Sequence, residues 1–290
     1  LTVSAGTGAI TFTGAVGQVA RLGDVTITSA NNVTISAAFS ATTLAQLAGT
    51  GTTTVNGITD TNAVGGISLT GNVQIVNANL TTTTGGPVTF TNAGLLTLNA
   101  NVISDGAVTQ NGAGAVAITG SRTITTTSDT VDFLRAVTLN GAGATMVINT
   151  TTPGTGGSIT FQNTLNATTA GATAEDLTLT AGTTGNITFM GNVGATRLGD
   201  VTINSGNAVA FQDTGTQQAA SLTVTASTST TFTGNLNLTN GVSLVAGAGN
   251  VAFLDGLTAG AASSFANTGA LQLGDAATDV TSLTGALTHT

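Results

Sequence analysis

The chain of 290 residues holds no Cys, no Trp, no Tyr, no Lys and only two Pro, Pro87 and Pro153. Each absence excludes something. Without Cys there are no disulfides and no thiolate metal sites. Charged residues make up 6% of the chain, against about 25% in an average soluble domain. The basic residues are Arg21, Arg122, Arg135 and Arg197, and the formal net charge is −8. No basic patch can be built from these, which argues against nucleic acid as a partner. No run of about 18 apolar residues exists, so no membrane-spanning helix is expected. No signal peptide is visible and Leu1 opens in the middle of a pattern, which reads as a mature or excised piece of a longer chain.

What fills the space is Thr, Ala, Val and Asn, with 40 Gly and 40% hydrophobic residues. Thr and Val suit a pleated, half-buried surface, whereas long helices want Ala, Leu, Glu and Lys. The composition therefore predicts an all-β protein.

Internal repeats sharpen this. A submotif of Gly, any residue, Ile or Val, Thr or Ala, and Phe recurs as GAITF (8–12), GPVTF (86–90), GSITF (157–161), GNITF (185–189) and GNVAF (249–253). Alternation puts Ile and Phe on one side of a strand and Thr on the other. In four copies an apolar residue returns four positions after Phe: Val16, Leu165, Val193 and Leu257. In the fifth it is Gly94, with Leu95 next. Phe189, Phe211, Phe232 and Phe253 follow one another at 22, 21 and 21 residues. About 21 residues per cycle, with two or three short strands in each, predicts a coil of a β-solenoid, with coils stacked about 4.8 Å apart. The chain then makes roughly 14 coils of a parallel β-helix. A string of β-sandwiches is the alternative. It fits less well, because sandwich strands seldom repeat one apolar pattern at a fixed period.

A longer period lies on top. Residues 1–36 align with 177–212: LTVSAG matches LTLTAG, AITFTGAVG matches NITFMGNVG, and RLGDVTI occurs at both 21–27 and 197–203. This predicts one solenoid over 1–290 built of a supra-repeat of about 176 residues, complete in 1–176 and partial in 177–290. The two RLGDVTI copies are expected to mark the same place about eight coils apart. Ala37–Leu47 is expected to be a short helix or an irregular bulge. Thr150–Gly157 and Asn166–Asp176 are expected to be loops leaving the stack, and both Pro residues are expected at turns. Neither end reads as a cap, so neighbouring coils are expected beyond both ends, covalently or by end-to-end stacking.

Candidate sites are few. Arg21 with Asp24, and Arg197 with Asp200, suggest a local turn pinned by an ion pair or a repeated ligand contact. Asp129 with Asp132, and Glu175 with Asp176, raise Ca²⁺ or acid/base chemistry. Ca²⁺ needs six or more oxygen ligands, and the GGxGxDxUx nonapeptide of calcium-binding β-rolls is absent. A polysaccharide-degrading β-helix needs a denser cluster of Asp with Arg or Lys. His289, the lone His, stands one residue from the chain end and offers Ser/His chemistry no base. No catalytic, cofactor or metal residue is therefore expected. Thr-x-Thr pairs, at 11–13, 26–28, 89–91, 178–180, 223–225 and 231–233 among others, resemble the arrays of ice-binding proteins. They make a flat ice- or glycan-binding face the alternative function.

Taken together, GNITFMGNVGATRLGDVTINSGNAVAF and LTLNANVISDG resemble the giant bacterial surface proteins of the filamentous-haemagglutinin and β-strand-repeat type. The resemblance covers nearly the whole chain and rests on idiom and period. It implies a right-handed parallel β-helix exported to the cell surface, acting in adhesion, matrix or sheath building. The expected function is thus a non-enzymatic, extracellular structural or adhesive rod, with self-association (end-to-end or lateral) or cell-surface contacts as its partners.

Overall fold

A computed structural model describes residues 1–152 and 154–290; the turn expected at Pro153 lies outside them. The described residues form short parallel strands and one 3₁₀ turn, Gly171–Thr173, with no α-helix. The strands stack as a β-solenoid with three faces. The first face begins with Thr2–Ser4, Val25–Ser29 and Leu44–Gln46. The second begins with Ile10–Phe12 and Val33–Ile35. The third begins where Val16 and Leu22 bridge to Phe39–Ala41. Each face traces thirteen rungs, within one of the number expected.

The register follows the sequence period. On the first face, Ile187, Val209, Thr230 and Val251 are successive partners, 22, 21 and 21 residues apart. Two coils are longer, from Val131 to Ile159 and from Ile159 to Ile187. They carry the two expected excursions. Of the second, Asn166 and Ala167 still belong to a strand, and residues 168–175 form the loop. Ala37–Leu47 is neither helix nor bulge: it holds the strands Phe39–Ala41 and Leu44–Gln46. Their side chains alternate between buried and half-buried, a period of two that no helix satisfies. Pro87 precedes the strand Val88–Asn92, and its carbonyl accepts the Ile67 N–H at 2.9 Å.

The interior differs along the rod. Phe133, Phe161, Phe189, Phe211, Phe232 and Phe253 occupy one column, with ring centroids 4.3 to 5.5 Å apart and planes within 18°. Earlier coils put amides in that region. Gln46, Gln74, Asn92 and Gln110 are buried where the first face turns into the second. Gln110 Nε2 donates to Asn92 Oδ1 at 2.7 Å and to the carbonyls of Gly112 and Gly114. A second buried polar column, Thr61, Thr82, Ser104, Thr126 and Thr150, lines the turn from the third face to the first. The hydroxyls of Thr82, Ser104, Thr126 and Thr150 donate to turn carbonyls, as Thr150 Oγ1 does to Gly157 at 2.7 Å, while Thr61 Oγ1 has no partner.

Candidate functional site

The two RLGDVTI copies are the repeated polar feature of the sequence, and the structure places them on different faces. Val25 of the first copy sits on the first face, paired with Leu44. Val201 of the second sits on the third, paired with Leu177 and Leu222. The displacement is consistent along the alignment. Ile10 lies on the second face and its counterpart Ile187 on the first. Val16 bridges on the third face and Val193 on the second. The copies are therefore seven coils and two faces apart. They do not mark the same place on the rod.

The local geometry nevertheless survives the change of face. Gly17 and Gly194, in equivalent positions, have φ of +70° and +79°. A Cβ on either would lie 2.0 Å from a carbonyl oxygen of the next coil, Ser40 or Gln218, so only Gly fits. Beyond this turn the Arg side chain runs along the rod axis. Arg21 Nη1 donates to the carbonyls of Ala41 at 2.9 Å and Asp60 at 3.0 Å. Arg197 Nη1 donates to those of Ala219 at 2.8 Å and Asn237 at 2.6 Å. Each guanidinium thus clamps the next two coils. The expected pairing with the Asp three residues on is not formed. Arg21 makes its ion pair with Asp60, while Asp24 accepts from Thr43 Oγ1 at 2.9 Å. Arg197 reaches Gln218 Oε1 at 3.0 Å, and Asp200 accepts from Ser221 Oγ at 2.6 Å. The reason is spacing: neighbouring coils lie about 4.8 Å away, within Arg's reach, whereas the Asp three residues on lies along the same coil. Burial lowers the pKa of the Arg197 guanidinium from its ordinary value.

The acidic candidates do not converge. Asp132 projects from the first face and both its oxygens accept Gln162 Nε2, at 3.0 and 2.8 Å. The Asp129 carbonyl accepts Thr126 Oγ1 at 2.5 Å. Glu175 is fully buried and ties the 168–175 loop to the stack. Its carboxylate accepts the N–H groups of Gly141 (2.9 Å), Thr168 (3.2 Å) and Thr169 (3.0 Å), and the hydroxyls of Thr168 (2.8 Å) and Thr169 (3.1 Å). Burial alone would raise its pKa. The bonds from Thr169, Thr168 and Gly141 outweigh it and hold the carboxyl below its ordinary value. Such a group is a structural anion, saturated by its own chain. His289 sits on the last rung of the third face, opposite Phe265.

The Thr-x-Thr pairs resolve into files. On the first face the outward file Thr89, Thr109, Asp132, Thr160, Thr188 and Ala210 is broken by a charge and an Ala. On the third face, Thr178, Thr202, Thr223, Ser243 and Ser264 follow rung on rung.

The buried amides and hydroxyls lie outside the Phe-bearing submotif. Their signal is present: GAVTQ (106–110) is the submotif with Gln in the Phe position, and Gln110 pairs with Phe90 and Phe133 in the register. No helix is long and apolar enough to cross a membrane. Comparison with family models, curated proteins and solved structures finds no match.

Proposed function

We propose that the chain is a rigid rod in a bacterial extracellular adhesin, fibre or surface layer, with a mechanical role and no catalytic one. The observation that carries this reading is the continuous ladder of parallel strands, fastened from coil to coil. Backbone bonds join each rung to the next, six Phe rings stack along the axis, and two Arg side chains each span two further coils. A solenoid of this kind resists bending because the ladders on its three faces join each coil to the next along the whole length. The charge-poor composition fits the same role. Side chains in equivalent positions of adjacent coils stand about 5 Å apart, so repeated like charges would repel along the axis.

Antibody labelling of intact cells of the source organism tests the location, and electron microscopy of the isolated protein tests the shape. Surface label without permeabilisation and straight particles are expected. Label seen only after permeabilisation, or bent and flexible particles, would count decisively against the reading.

A further inference from the structure

Asn followed by Gly occurs four times, at Asn56, Asn111, Asn140 and Asn240. The pair is chemically unstable. The Gly nitrogen, once its proton passes to a base in solvent, can attack the Asn side-chain carbonyl carbon, and no Cβ on Gly shields it. The attack needs a free Gly N–H, a side-chain amide free to turn onto it, and water within reach. At the first three pairs the fold withholds at least one of these. Asn56 Oδ1 accepts Asn77 Nδ2 at 2.8 Å, and the Gly57 N–H donates to the Ile35 carbonyl at 3.1 Å. Asn111 Oδ1 accepts Thr91 Oγ1 at 2.7 Å, and Gly112 is buried. Asn140 Oδ1 accepts Thr168 Oγ1 at 3.2 Å, and the Gly141 N–H is held by Glu175 Oε1 at 2.9 Å.

We propose that Asn240 is a site of spontaneous deamidation, because it is the Asn–Gly pair that the fold leaves open. Its side chain is exposed, and Gly241 is only half-buried. Among the described residues, neither the Asn240 side-chain amide nor the Gly241 N–H has a hydrogen-bond partner. The backbone around them is held: the Asn240 N–H donates to Ala220 at 2.7 Å and its carbonyl accepts the Ala261 N–H at 3.2 Å. The reacting atoms are thus the free ones. Asn240 also lines an open notch with Gly143, Asp176, Gly199 and Asp200, where water reaches it. In the reaction the bond from the Gly241 nitrogen to Asn240 Cγ forms as the Cγ–Nδ2 bond breaks, and ammonia leaves with a proton taken from water. Water then opens the succinimide ring, and the Gly241 nitrogen regains its proton. Attack at Cγ gives Asp, and attack at the main-chain carbonyl carbon gives isoaspartate. The sum is Asn and water to Asp or isoaspartate and ammonia. Either product adds a carboxylate to a notch already lined by Asp176 and Asp200. Isoaspartate also adds a carbon to the backbone between the strands Leu236–Leu238 and Val242–Phe253, where the Gly241 carbonyl accepts the Leu222 N–H at 3.4 Å. The chemistry is independent of what the rod does.

Mass spectrometry of the folded chain, stored in mildly alkaline buffer and sampled over time, tests the proposal. Pepsin digestion at acid pH stops the attack and yields the peptides that carry the four Asn–Gly pairs. The Asn240 peptide is expected to gain the mass of an amide turned to an acid, as a mixture of Asp and isoaspartate. A retained hydrogen bond of ordinary strength slows the attack by roughly two- to twelvefold, so Asn56, Asn111 and Asn140 should lag Asn240 by a factor in or above that range. In urea, where the fold holds none of them, the four rates should converge. Asn240→Gln should remove the first acidic species that ion exchange resolves on storage. An Asn240 that stays intact in the folded chain while it converts in urea overturns the proposal. So does any of the other three converting as fast as Asn240 in the folded chain. A rank order that persists unchanged in urea would do so as well, by assigning the rates to flanking sequence and not to the fold.

Discussion

Glu175 shows how one residue holds a departure from the period. A coil lengthened by a loop loses ladder bonds, and a single carboxylate gathers five donors from that loop and the preceding coil. Its folded pKa lies below the ordinary value. The stability it contributes is therefore complete above the unfolded carboxyl pKa and is lost as pH falls through the folded one. Glu175→Gln should lower stability at neutral pH by about 1.5–3 kcal/mol, the range for hydrogen bonds to charged groups. The two melting temperatures should converge at acid pH. A difference that persists unchanged at low pH would show that shape, and not charge, holds the loop.

At the scale of the strand, the same inward position takes Phe in every coil from Phe133 to Phe253, and Gln46, Leu69, Phe90 and Gln110 in the four coils before them. Phe189 is buried between Phe161 and Phe211 at 5.2 and 4.3 Å. Phe189→Ala should cost about 3–5 kcal/mol, measurable by urea titration. Gln110→Ala removes less apolar surface but orphans the Asn92 side-chain oxygen and takes a donor from the Gly114 carbonyl, while the Gly112 carbonyl keeps the Arg135 Nε–H. This scale was the most legible in the sequence. Alternation and the spacing of Phe189 to Phe253 yield the strands and the coil directly, because a half-buried strand imposes a period of two and stacking imposes an equal coil length. Ala37–Leu47 reads as a helix or bulge because Ala and Leu are good helix formers, and pairing with flanking coils overrides that preference. The Arg clamps were not legible in the same way. Their partners are 20 and 39 residues away for Arg21 and 22 and 40 for Arg197, distances that only the stacked register makes short.

The whole molecule is uneven by construction. Coils bearing Gln46, Gln74, Asn92 and Gln110 hold buried polar groups, and Gln46 Nε2, Thr61 Oγ1 and Gln74 Oε1 among them lack a partner. An unpaired buried polar group costs about 1–3 kcal/mol. The coils from Phe133 to Phe253 carry stacked rings in place of these amides, and Asn235 Oδ1 is the one unpartnered buried side-chain atom among their described residues. In a solenoid each coil's stability is set by itself and its neighbours, so unfolding need not be all-or-none. Hydrogen exchange should find the slowest amides between Phe133 and Phe253 and faster ones between Leu44 and Gln110. Uniform protection along the chain would show that the rod unfolds as one unit and that the polar columns carry no local penalty.

The displacement of RLGDVTI by two faces gives the rod a handedness of presentation. The copies are separated by roughly 35–40 Å along the axis, at about 4.8 Å per coil, and by about a third of a turn around it. The repeat therefore advances as a screw thread rather than as marks on a ruler. An antibody against the motif would approach the same rod from two compass directions. A neighbour that reads the motif could not do so twice while lying flat against one side.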